Sequence, residues 1–93
     1  MKFDWDPPKA QRNEAKHGVG FYEALTVFRD RLAIIGTDVD HSVDEIREFI
    51  VGQSARQRLL VVIFTERSST VRIISARLAT RRERNGYEEQ TSF

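Results

Sequence analysis

The chain has no cysteine, no apolar run of membrane-spanning length, and only two prolines, which stand together as Pro7 and Pro8. Without cysteine there is no disulfide and no thiolate metal site, as suits a reducing cytoplasm. Without a long apolar run no transmembrane helix is expected. The KFDW and paired prolines after Met1 do not read as a signal peptide. A cytoplasmic protein with no membrane association is therefore expected. Scarce proline and five glycines leave room for regular elements broken only at turns. With 93 residues, the chain predicts a single domain over residues 1–93, limited to one sheet and a few covering helices.

Net charge is also nearly lacking, at +1, but the balance conceals a split. Residues 1–55 carry seven Lys/Arg and ten Asp/Glu, a net of −3, whereas residues 56–84 carry eight Arg and two Glu, a net of +6. The segment Thr65 to Arg84 alone holds Arg67, Arg72, Arg77, Arg81, Arg82 and Arg84. One basic surface and an anionic partner are implied; the plainer alternative is arginines that only solvate strand ends and a helix.

Periodicity gives the order of elements. Lys2 to Trp5 alternates as a short strand. Asp6 is placed to cap a helix beginning at Pro7 and running to about His17, with Gly18 as its stop. Phe21, Ala24, Leu25 and Phe28 make one apolar stripe of a second helix. Leu32 to Gly36 is the next strand, and Asp38 to Glu45 an acidic loop. Glu48–Gly52, Arg58–Thr65 and Thr70–Arg77 then form two hairpins across short polar turns, which force antiparallel pairing. The unbroken apolar run Leu59 to Phe64 marks a central strand covered on both faces. Thr80 and Glu83 form a capping box that starts a last, largely polar helix. Such a helix gains little from burial, so removing it is expected to leave the sheet folded. The order β-α-α-β-β-β-β-α predicts an α+β domain: an antiparallel sheet of about four to five strands, two N-terminal helices on one face, and a C-terminal helix.

The blocks WDPPKAQRNEAKHGVGFYEALTVF, DHSVDEIREFIVG, LLVVIFTER and VRIISARLATRRE resemble the toxin of BrnT/BrnA toxin–antitoxin systems, over residues 3 to about 89. That resemblance implies a RelE-like fold and an endoribonuclease toxin. It also implies a BrnA-like antitoxin with a ribbon-helix-helix region, and contact with operator DNA only through that antitoxin. A complex of two toxins and two antitoxins is implied as well. The chain departs from the pattern at Leu78, where a basic residue is common, and at Gly20, where a small polar residue is usual.

RNA can be cleaved without metal when its 2′-hydroxyl attacks the adjacent phosphorus. The enzyme aligns the groups, moves protons and stabilises an anionic phosphorane. No cofactor is expected. Arg77, at the end of a strand just before the helix cap, is the first candidate for charge stabilisation; a salt bridge to Glu83 or to an acid on the first helices is its structural alternative. Arg67 and Glu66 lie in the neighbouring turn, as catalytic candidates or as ordinary turn residues. His17 is the candidate for proton transfer, since histidine titrates at about 6.5. Asn13, four residues earlier, is placed to orient its ring; a helix-end histidine bonded to a loop is the alternative. Arg72 is read as phosphate-binding or structural, and on a regular strand it faces away from Arg77. Arg81 and Arg82 are candidate RNA contacts. Tyr87 could stack on a base, although an anchor for its helix is the preferred reading. His41 among Asp38, Asp40, Asp44 and Glu45 lacks the glycine of a calcium loop and is a weak ligand set, so no metal site is expected. The alternative to a metal-independent endoribonuclease is a non-catalytic module that binds nucleic acid or antitoxin.

Overall fold

In the computed structural model, which describes residues 1–41 and 45–91, the chain runs β1 (Lys2–Asp4), α1 (Pro7–His17), α2 (Phe21–Leu25), β2 (Ile34–Thr37), β3 (Glu48–Gln53), β4 (Leu59–Arg67), β5 (Thr70–Leu78) and α3 (Arg81–Thr91). The predicted element order holds. The second helix is shorter than its apolar stripe suggested: it tightens into a 3₁₀ turn over Thr26–Arg29, and β2 starts at Ile34. Asp6 stands at the N-cap of α1 but its side chain makes no capping bond; Pro7 and Pro8 fill the first turn. Gly18 ends α1 in the left-handed region at φ +69°, a conformation that costs glycine little. No helix among the described residues is long and apolar enough to cross a membrane.

The five strands lie in the order β1-β5-β4-β3-β2. β4 is central, as its unbroken apolar run required. The sheet is mixed, not purely antiparallel: β1 pairs parallel with β5, Lys2 to Thr70 and Asp4 to Arg72. Two helices separate β1 from the hairpins in sequence, so no short turn dictates its direction.

Alternate residues of β3 and β4 feed two cores. Ile50, Leu60, Val62 and Phe64 face α1 and α2, joined by Val71, Ile73 and Ala76 of β5 and by Val19, Phe21, Ala24 and Val27. An aromatic edge-to-face chain, Phe3–Phe28–Phe64, closes this side at 5.1 and 5.0 Å between centroids. Val51, Leu59, Val61 and Tyr87 form the second core on the opposite face, beneath α3. The last helix is therefore not a loose polar appendage. Tyr87 is buried, and its hydroxyl donates to Asp30 Oδ2 at 2.7 Å.

The β4–β5 ladder slips by one residue between Ile63 and Phe64. Ile63 pairs with Ser75 and Phe64 with Ile73, which leaves Ile74 as a bulge. A single extra residue inverts the facing of everything beyond it. β1 accompanies β5 only over Thr70–Arg72. From Ile73 onward no strand of the described residues lies along the outer edge of β5.

Candidate nucleic-acid interface

The bulge changes which arginines share a face. Arg72 pairs with Thr65 and Arg77 with Val61, and Thr65, Ile63 and Val61 all point to the α3 side. Arg72, Ser75 and Arg77 thus lie on one face, whereas a regular strand would have separated the two arginines.

Arg77 does not offer an open fork, and Arg72 makes only a single contact through it. Arg77 Nη1 and Nη2 donate to the two carboxylate oxygens of Glu83 at 2.7 and 2.8 Å. Glu83 also accepts the Thr80 N–H at 2.8 Å, and the Glu83 N–H donates to Thr80 Oγ1 at 3.2 Å, completing the expected capping box. The Arg77 hydrogen bonds, against the opposing effect of burial and with help from Thr80, hold the Glu83 carboxyl down at about 2. The same contact raises the Arg77 guanidinium. Arg72 Nη1 reaches Asp4 at 3.3 Å, and Arg67 Nη2 reaches Glu45 at 2.6 Å. Arg58 is held by Glu23, a nearly buried carboxylate whose pKa the Arg58 hydrogen bonds lower against the cost of burial.

Other candidates disperse. Glu66 pairs with Val71 on the opposite face from Arg67. Both stand at the end of β4 and not in the expected turn, three to four residues from the level of Ser75, roughly 10–13 Å along the strand. Arg81 and Arg82 are exposed on the first turn of α3. The Tyr87 ring packs on Val51, Leu59 and Val61; burial first and the Asp30 bond second push its hydroxyl up to about 12. The ring thus faces the protein interior and ties α3 to the sheet. Of the loop around His41, residues 42–44 lie outside the described residues.

His17 is placed differently from its presumed helper. Asn13 does not orient the imidazole. Its Nδ2 donates to the carbonyls of Ala76 at 2.8 Å and Val19 at 3.1 Å, and its Oδ1 accepts the Ala76 N–H at 3.1 Å. That amide occupies the bare edge of β5 and fixes α1 against it.

Between α1 and that edge runs an open groove of about 390 Å³, lined by Lys9, Arg12, Asn13, Lys16, His17, Ile74 and Ser75. Among the described residues no carboxylate lines it. Lys9, Arg12 and Lys16 make no ion pair or side-chain hydrogen bond with any described residue. The bulge brings Ile74 and Ser75 into this groove, beside His17. Among the described residues, an open cationic hollow therefore lies along α1. The signal was present in the sequence: positions 9, 12, 13, 16 and 17 fall on one helical face. Ser75 carried no such signal, because only the bulge sets its place.

The family described as ribonuclease toxin, BrnT, of type II toxin–antitoxin system matches residues 5–83. Among solved structures, the chain is similar to the Brucella abortus ribonuclease toxin BrnT, with 30% sequence identity and a TM-score of 0.66. The match covers 87% of this chain and 99% of that one. No curated protein matches the chain in sequence.

Proposed function

The chain belongs to the BrnT family of ribonuclease toxins of type II toxin–antitoxin systems, and on that premise we propose that it is a metal-independent endoribonuclease whose chemistry takes place in the groove between α1 and β5. The carboxylate-free cationic hollow beside His17 carries this reading. In the reaction the 2′-oxygen loses its proton and bonds to the adjacent phosphorus. The phosphorane collapses with departure of the 5′-oxygen, which takes up a proton. The products are a 2′,3′-cyclic phosphate and a 5′-hydroxyl. His17 serves the proton transfers, being the one imidazole that lines the groove among the described residues. Lys16 and Arg12 supply positive charge to the phosphorane.

The sheet arginines take a second role. Arg77 holds the start of α3 through Glu83, and Arg72 ties β1 to β5 through Asp4. Both act as positioning residues held in ion pairs, not as the primary phosphate fork. Arg67, Glu66, Arg81 and Arg82 are assigned to the periphery of the RNA path. A ribbon-helix-helix antitoxin of the BrnA kind is proposed as the inhibitor, consistent with the type II family description.

The test is cleavage of RNA by the purified protein in excess chelator, with the new ends analysed. Cyclic phosphate ends that disappear in His17→Ala are expected. Cleavage that requires an added divalent cation, or that survives the loss of His17 at full rate, would overturn the proposal.

A further inference from the structure

We infer that the stripe Lys9–Arg12–Lys16 is a track for the phosphate backbone of single-stranded RNA, leading the scissile linkage to His17. The inference rests on the endoribonuclease reading for its ligand, but its observations are its own.

The first observation is electrostatic. The chain carries many cations, yet Arg67, Arg72 and Arg77 of the sheet, and Arg58 just before β4, are each matched by a carboxylate. The three cations on α1 have no such match. Glu14, on the same helix, lies on its other flank against Gly20. A phosphate entering the groove therefore meets positive charge with no internal competitor.

The second is geometric. α1 rises about 1.5 Å per residue, so Lys9 and Lys16 are separated by roughly 10 Å along the axis. That span suits successive phosphates of an extended strand. His17 stands at one end of the row. The whole stripe is held rigidly beside β5 by the three hydrogen bonds of Asn13, so the track and the proton-transfer group keep a fixed spacing.

The third concerns the form of the RNA. Attack by a 2′-hydroxyl requires the attacking oxygen, phosphorus and leaving oxygen to come into line. An A-form duplex holds them out of line, whereas a single strand laid in a groove can rotate into place. A duplex also presents a wide, stiff cylinder rather than a strand that can be laid between a helix and a strand edge.

The experiment uses a labelled 2′-O-methyl oligonucleotide, which binds but cannot be cut, and measures affinity from 50 to 200 mM salt. For a single strand each phosphate contact contributes about 0.7 to the slope of log affinity against log salt. Lys9→Gln, Arg12→Gln and Lys16→Gln together are expected to reduce that slope by about 2. Across the fourfold salt range the wild type then loses roughly 20-fold more affinity than the triple variant. On cleavable RNA the Lys9→Gln variant raises KM with little change in kcat, whereas His17→Ala lowers kcat and leaves oligonucleotide affinity nearly intact. The matching duplex binds more weakly than the single strand.

An unchanged salt slope in the folded triple variant overturns the inference, as does equal affinity for duplex. Loss of antitoxin binding with RNA binding preserved would reassign the stripe to a protein interface. If the wild type fails to cleave but the slope falls as expected, the track stands and the catalytic reading falls.

Discussion

The side-chain amide of Asn13 pairs with both backbone polar groups of Ala76, 63 positions further along the chain, donating to its carbonyl and accepting from its N–H. It does for β5 what a neighbouring strand would do, at the place where β1 has already ended. A helix is thereby docked on a sheet edge that would otherwise be open to another chain.

Asn13→Ala removes this pairing and the bond to Val19. It leaves buried backbone groups of Ala76 unpaired and is expected to cost about 2–4 kcal/mol in urea unfolding. Asn13→Asp keeps an acceptor for the Ala76 N–H but sets a carboxylate against two carbonyls. It is expected to be at least as destabilising at neutral pH.

The Glu83 carboxyl, held at about 2 in the fold against an ordinary 4.5, makes stability depend on pH in acid. Its contribution is complete above about pH 4.5 and is lost as pH falls towards 2. Both partners are part-exposed, so screening limits the effect to about 1–2 kcal/mol. Glu83→Gln should lower stability by that amount at pH 7 and flatten the acid limb. An identical acid limb in wild type and variant would exclude the pair as its source.

Tyr87→Phe keeps the ring and removes its bond to Asp30, which still accepts the N–H groups of Leu32 and Gln53. Burial tends to raise the Asp30 pKa, and these three hydrogen bonds together lower it. A loss of about 1 kcal/mol is expected. Tyr87→Ala opens the second core over Leu59 and Val61 and should cost about 3–5 kcal/mol. Truncation before Thr80 is expected to do at least as much, contrary to what the polar sequence of α3 suggests by itself.

His17→Ala should reduce the cleavage rate by about 10²–10⁴-fold if the imidazole moves protons in the reaction. It should also remove one limb of the pH–rate profile while leaving circular dichroism unchanged. His17→Lys, which keeps a positive charge but is a poor proton donor near neutrality, should fail to restore the rate. Restoration by lysine would assign the position to charge alone.

The sequence by itself determined whatever depends on neighbours in the chain. Helix α1 with its Gly18 stop, the hairpins β3–β4 and β4–β5, the capping box of Thr80 and Glu83, and the central place of β4 follow from local periodicity, short turns and side chains within four residues. The matched family blocks read from the same residues agree with the family match over 5–83. Only the tertiary structure decided the parallel seat of β1, the bulge at Ile74, the partners of Asn13, and the burial of Tyr87 on the second face of the sheet. Each of these joins groups far apart in sequence, where pairing is chosen by the competition of packing and hydrogen bonding over the whole molecule. The candidate site divides along the same line. The cationic stripe of α1 is a helical spacing written in the chain, whereas the pairing of the sheet arginines with Glu83, Asp4 and Glu45, which directs attention from them to the α1 groove, exists only once the strands have met.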